Sequence, residues 1–381
     1  MNRKFRKVAV SLHLWLGLLS GIVVVVVCLT GCLYVFKDEI NDLTQPWRFV
    51  APRSTIPILP SQAIRIADFE VEEDRKATAL TYGESGDALS VDYFSFDKGI
   101  TTVYMNPYDG EVKKTITKQK GDFDFFRFVL NGHRSLWMPA AIGKPIVGYS
   151  VLLFLITLIT GIILWWPSKW TVKATKRNLR VKWKKGFARL NFDLHKVLGG
   201  YAALILIILS FTGLIFGLGW FSESVYFLTS GGKKLQPYTL PKSDTLQVTD
   251  HLSESLDRLY VRLQKAEPEA KTFYFALPAQ VDDVIRVSVV HKRNSYYQTD
   301  NLFFDQYTLK SLEGVGPYAG KYKEVSGANQ FRRMNLEIHD GRIGGIFGKV
   351  LAFLASLIGA SLPVTGFIIW FRKKRKRTAV H

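Results

Sequence analysis

The chain has 381 residues, so it has room for two or three domains. Its 22% charged residues and mean hydropathy of +0.07 exclude both an ordinary soluble globule and a protein buried wholly in a bilayer. A formal net charge of +19 raises nucleic acid as a partner, but the placement of that charge argues against it. The whole excess lies in three short segments that contain no Asp or Glu: Arg3 to Lys7, the loop 167–192, and RKKRKR at 372–377. The remaining 32 basic residues balance the 32 acidic ones.

In chain order, the first apolar run covers 8–36, containing LHLWLGLLSG from Leu12 and IVVVVV at 22–27. It exceeds the roughly 20 residues needed to cross a hydrocarbon core about 30 Å thick. The two cysteines of the chain, Cys28 and Cys32, both lie in it, which rules out a disulfide framework, a zinc ligand set and a CxxCH haem attachment. Leu29-Thr30-Gly31-Cys32 has the form of a lipoprotein cleavage box, yet the apolar stretch before it is longer than a signal-peptide core of about 7–15 residues. An uncleaved helix is the expectation, with the cysteines as small packing residues. Residues 37–142 follow as a soluble segment. A helix is expected at 61–68 and strands at 88–96 and 100–116, with a turn at Asn106-Pro107-Tyr108-Asp109-Gly110. A second span at 143–166 ends TGIILWW, and the basic loop 167–192 follows. The third span, 193–221, leads into a second soluble segment, 222–342. Helical character is expected there at 246–264 and strands at 272–277, 283–291 and 300–313. The fourth span, 343–371, precedes the basic tail 372–381.

Basic flanks mark the cytoplasmic side of a span. They place both termini and the 167–192 loop inside, and the two soluble segments outside. The spans also repeat. Thr30-Gly31 follows His13 by 17 residues, and Thr212-Gly213 follows His195 by 17. Gly143-Lys144 precedes Thr160-Gly161 as Gly348-Lys349 precedes Thr365-Gly366. A unit of about 1–170 therefore recurs at about 188–377. Both copies start and end inside, which predicts two parallel repeats about an axis along the membrane normal. The expected fold class is membrane α-helical: a four-helix transmembrane bundle with two extracytoplasmic α+β domains. Gly17, Gly21, Gly199 and Gly200 would let its helices approach closely.

Four of the seven histidines stand at span boundaries. His13 and His195 begin the first and third spans, and His133 and His339 precede the second and fourth. Each alone reads as an interfacial residue or a hydrogen-bond donor between helices. As symmetric pairs they read differently, because ionisable groups at membrane depth are costly and mark function. The symmetry would bring His13 towards His195 and His133 towards His339, and two facing imidazoles in a bundle are a ligand set for b-type haem. His251 and His291 lack paired equivalents, and His381 is terminal. Arg134, Arg332, Arg333 and Arg342 lie near the external histidines and could pair with haem propionates, an anionic chelate or lipid headgroups. Trp15, Trp165, Trp166, Trp170, Trp220 and Trp370 suit an interfacial belt, with Trp15 close enough to His13 to line a haem pocket.

The LHLWLGLLSG opening, HRSLW with TGIILWWPSKW, LHKVLGGYAALILIILSFTG, and IHDGRIGG with TGFIIWFRKK together resemble the PepSY-associated transmembrane proteins. That family includes bacterial inner-membrane siderophore reductases. The external YMNPYDGEV, loosely echoed by FFDQYTLKSLEG, resembles a PepSY strand–turn. The resemblance covers nearly the whole chain and implies two b haems, one near each membrane face, carrying electrons outward to Fe(III) held by a siderophore or another chelate. It implies His13, His133, His195 and His339 as iron ligands in the bacterial cytoplasmic membrane. Two stacked sites would divide a crossing that one haem cannot bridge. Hard oxygen chelators hold Fe(II) far less well than Fe(III), so reduction suits iron release. No GxGxxG follows a strand, and the cytoplasmic loop is too short for a reductase domain, so the electron donor is separate: a quinol or a cytoplasmic reductase. The rival expectation is a non-enzymatic membrane protein whose PepSY-like domains bind or restrain an external partner. Transport of the chelate itself is weaker, since four spans show no evident substrate-sized polar cavity and no evident broken helix beyond Pro139 and Pro363.

Overall fold

A computed structural model describes residues 3–167, 171–172, 179–247 and 251–378. Lys169, Trp170, Lys173, Lys176, Arg177 and His381 lie outside the described residues, as do the side chains of Arg3, Lys376 and Arg377. The chain divides into two compact units, one holding the four spans and the other running Asp38–Phe123 and Tyr226–Met334.

In the first unit, four helices are long and apolar enough to cross a membrane: Lys4–Tyr34, Ala140–Trp165, Phe187–Gly217 and Arg342–Arg375. They are the bulk of α1 (Arg3–Tyr34), α5 (Ala140–Trp165), α6 (Phe187–Gly217) and α10 (Gly345–Thr378). Even the shortest, at 26 residues, is about 39 Å long at 1.5 Å per residue, enough for a tilted crossing. α1 runs unbroken through Cys32. Pro139 caps α5 rather than breaking it, and α10 continues through Pro363. The third apolar run stops early: α6 ends at Gly217, and a separate helix, α7 (Gly219–Thr229), follows the extended Leu218.

Both α1 and α6 pack against α5 and α10, so the cyclic order is α1–α5–α6–α10, with α1 diagonally opposite α6. The shared core is Val24, Phe154, Leu158, Ala202, Leu206, Ala355 and Leu362, with Cys28 packed against it. Glycines set the closest approaches. A Cβ on Gly21 would lie 3.2 Å from Pro363 Cβ, and one on Gly199 would lie 3.2 Å from Leu362. Gly200 is covered by the Trp165 indole, so that tryptophan is a helix-packing residue.

The second unit is built on one antiparallel sheet of eight strands, in the order β4-β3-β2-β1-β5-β6-β7-β8. Each soluble segment supplies four: β1 (Ala79–Tyr82), β2 (Leu89–Ser95), β3 (Gly99–Met105) and β4 (Val112–Lys118), then β5 (Thr272–Ala276), β6 (Val284–Val290), β7 (Thr299–Asp305) and β8 (Ser311–Leu312). The halves join where β1 pairs with β5, Leu80 opposite Phe275 and Tyr82 opposite Phe273. Alternating residues of these strands point at one face, as period-2 patterning requires. There Leu80, Tyr82, Val91, Tyr93, Val103, Phe275, Ile285 and Val287 meet Ala63 and Ala67 of α3 (Pro60–Asp68) and Leu256, Leu259, Tyr260 and Leu263 of α8 (Leu252–Ala266). Tyr82 stacks on Tyr260 at 4.1 Å between centroids. The segments read from sequence as one α+β domain each thus share a single sheet and a single core. Three smaller helices remain: α2 (Lys37–Thr44) follows the first span, and α4 (Phe125–Ser135) precedes the second. α9 (Gly327–His339) precedes the fourth.

Candidate functional site: two facing histidine pairs

His13, on α1, and His195, on α6, face one another across the bundle diagonal with ring centroids 6.1 Å apart. His133, in the last turn of α4, and His339, the last residue of α9, face one another at the same 6.1 Å. The pairings expected from the repeat are the ones that occur.

Each ring is held the same way. His13 Nδ1 lies 3.0 Å from the Thr157 carbonyl and 3.3 Å from Thr160 Oγ1. His133 Nδ1 lies 2.9 Å from the Val27 carbonyl and 3.3 Å from Thr30 Oγ1. His339 Nδ1 lies 3.0 Å from both the Leu209 carbonyl and Thr212 Oγ1. His195 Nδ1 lies 2.8 Å from Thr365 Oγ1. Each threonine hydroxyl donates back along its own helix, to Val26, Thr157, Ile208 or Ser361, which leaves its oxygen free to accept from the ring. A carbonyl can only accept, and the Thr365 hydroxyl has given its proton to Ser361, so Nδ1 carries the proton in all four rings and Nε2 carries the lone pair.

The glycine after each threonine makes room for the ring. A Cβ on Gly161, Gly31, Gly213 or Gly366 would sit 3.0, 3.3, 3.1 or 3.2 Å from Cε1 of His13, His133, His339 or His195. Thr-Gly is therefore a two-residue cradle, and it works crosswise. The motif on α1 holds the histidine before α5, and the motif on α5 holds the histidine on α1. α6 and α10 repeat the exchange. Sequence reading used Thr-Gly only to align spans. The spacing supplied only an exclusion, because Thr30 is about 26 Å along the helix from His13 and cannot serve that ring. His133 bonds to α1 at Val27. That is 14 residues beyond His13, so the two pairs are separated by about 21 Å along that helix.

The neighbouring candidates divide. Arg342 pairs with Asp340 at 3.1 Å and is mostly covered, whereas Arg134 is exposed. Arg333 is a correction to the expectation of an anion-binding role. It is buried, and its guanidinium donates to the carbonyls of Pro317, Thr299, Gly320 and Ala319, which leaves no face for a propionate or chelate. Trp15 is 61% exposed and stands about 200° round α1 from His13, so it does not border the His13–His195 pair. Among the described residues, one group of three has metal-ligand types with atoms within 4.8 Å: Glu267, His291 and Asp300. Its ligand atoms already have partners within the protein. Lys321 holds Glu267 at 2.8 Å, and Asp300 accepts from His291 at 2.8 Å and from the Tyr322 N–H.

Burial holds the His133 and His339 imidazoles below their usual range, His339 at about 4 with His133 beside it adding to the effect. These are neutral rings, the form that binds metal. A metal–imidazole bond is about 2 Å. Two rings sharing one metal through Nε2 thus have centroids about 6 Å apart once roughly 1 Å of ring radius is added on each side. The donor set, its tautomers and its spacing fit a haem that two histidines would hold.

Residues 10–373 match the family model described as the PepSY-associated TM region, and the chain belongs to that family. No curated protein matches it.

Proposed function

We propose that this member of the PepSY-associated TM region family is a dihaem b electron-transfer protein that reduces Fe(III) held by a siderophore or other chelate outside the bacterial cytoplasmic membrane. The observation that carries the reading is two histidine pairs, each with ring centroids 6.1 Å apart and each ring held through Nδ1, which leaves Nε2 as the free lone pair. His13 and His195 would hold one haem, and His133 and His339 the other. Bound haem would supply one-electron chemistry. The chain's own part is to orient the rings through Thr-Gly cradles, to keep them neutral, and to fill the space between the pairs with an apolar core. The parallel-repeat reading is supported by the crosswise cradles, which occur once within α1/α5 and once within α6/α10. The positive-inside charge pattern supports cytoplasmic termini and an external sheet unit. The electron donor would be a quinol or a cytoplasmic reductase, and the acceptor a hard-oxygen ferric chelate.

A second reading is a non-enzymatic membrane protein whose PepSY-like unit binds or restrains an external partner. The family match favours it directly, since that match speaks of membership and membrane region and not of redox chemistry. The readings part on one experiment. The purified protein, expressed with haem supplied, should give a reduced-minus-oxidised spectrum with b-type bands. Their absence leaves the second reading.

A further inference from the structure

The rings are held alike, but the cradles that hold the two ligands of each pair are not supported equally. His195 ends the pentapeptide Asn191-Phe192-Asp193-Leu194-His195, and His339 ends Asn335-Leu336-Glu337-Ile338-His339. The same pattern, Asn–apolar–acid–apolar–His, thus occurs at both second-half histidines. His13 and His133 have Ala9 and Val129 in place of the asparagine.

The asparagines stand one helical turn before the histidine, on the same face. Asn191 Nδ2 donates to the Thr365 carbonyl at 3.0 Å, and Thr365 is the threonine whose hydroxyl holds His195. Asn335 Nδ2 donates to the Thr212 carbonyl at 3.1 Å, and Thr212 is the threonine that holds His339. Each second-half cradle is therefore gripped at two points, by the histidine on one side of the threonine and by the asparagine on the other. Both asparagines are buried, Asn335 completely. Ala9 and Val129 are buried as well, so the first-half positions are equally dry but offer no donor. A buried amide is costly to keep unless its bonds are needed. Asn335 also keeps its Oδ1 without a partner, so packing alone gives no reason for an amide there.

We propose that Asn191 and Asn335 are positioning residues that fix His195 and His339. These become the rigid ligand of each pair, and His13 and His133 the adjustable one. The proposal rests on the reading of these histidines as haem ligands, but it can be read without haem. The test uses the full-length protein in detergent with 15N-labelled histidine, comparing Asn335→Leu and Asn191→Leu, which keep side-chain volume and remove the amide, with Val129→Ala at a first-half position. In haem-free protein, Asn335→Leu should shift the Nδ1 resonance of His339 alone, and Asn191→Leu that of His195 alone. Val129→Ala should move neither. In haem-loaded protein, each asparagine variant should speed haem loss from its own site about tenfold, the low end of what outer-shell partners of metal-binding histidines cost. Asparagine variants with unmoved imidazole signals, or a Val129→Ala variant that shifts His133 as strongly, would overturn the proposal. A variant that fails to fold is replaced by Asn→Ala at the same position and read in the same way. A wild-type protein that takes up no haem overturns the proposed function instead, and the imidazole signals still decide the asparagine claim.

Discussion

Thr160, on α5, accepts a hydrogen bond from His13, on α1, at 3.3 Å, while the next residue, Gly161, leaves the ring its space. The same exchange in the opposite direction ties Thr30 to His133. α5 thus holds the histidine on α1, α1 holds the histidine on α4 just before α5, and one short motif serves both ends of the bundle.

The glycine of each cradle should be less replaceable than other bundle glycines. Gly161→Ala puts a Cβ 3.0 Å from His13 Cε1 and forces the ring to move. Gly17→Ala meets Thr157 Cγ2 at an ordinary 3.5 Å. Haem affinity, measured by titration into apo-protein, should fall about 10–100-fold in the first variant and stay near wild type in the second. Equal effects would mean that the glycines serve only general helix packing.

The threonines should rank by how much they carry. His195 is held by Thr365 Oγ1 at 2.8 Å, whereas His13 reaches Thr160 Oγ1 only at 3.3 Å and relies more on the Thr157 carbonyl. Thr365→Val, near in shape and without the hydroxyl, should weaken its site more than Thr160→Val weakens the same pair from the other side. Site occupancy by absorbance after dialysis checks the order.

The sheet unit should lose stability as a whole when its central junction is damaged. Leu80 is fully buried on β1 opposite Phe275 on β5. Leu80→Ala should cost about 2–5 kcal/mol. Amide exchange should speed in β2–β4 and β6–β8 together. Acceleration confined to the first four strands would show that the halves fold independently.

Asp305 gives the sheet unit an acid-sensitive turn. Burial pushes its carboxyl up, but donation from the Thr308, Asp244 and Tyr307 N–H groups and the Thr308 hydroxyl outweighs that and holds it below the usual carboxylate range. A depressed folded-state pKa contributes stability that is present above the unfolded value of about 3.9 and is lost as pH falls through the lower folded value. Asp305→Asn should therefore lower the melting temperature at neutral pH, and the gap from wild type should close in the acid range below about pH 4. A gap that does not change with pH would assign the effect to geometry.

Much of the membrane unit could be read from the sequence, because apolar runs such as VLLFLITLI admit no other fold in water or lipid. The histidine partners followed from the spacing of the repeat. Three features could not be read that way. The Thr-Gly cradles act between helices, and a spacing measured along one helix conceals a bond to its neighbour. The four-residue strand β1 is too short to show alternation, yet its pairing with β5 merges the two soluble segments. Arg333 looked available beside the external histidines until its carbonyl partners, from residues 299–320, were brought to it by the fold.

Haem stoichiometry in single-histidine variants bears most directly on the central claim. Wild-type protein purified from haem-replete cells should carry two b haems per chain. His13→Ala and His195→Ala should each retain one, and His133→Ala and His339→Ala should each retain the other, with different midpoint potentials. Wild type without haem, or a haem content unchanged by all four substitutions, would contradict the account.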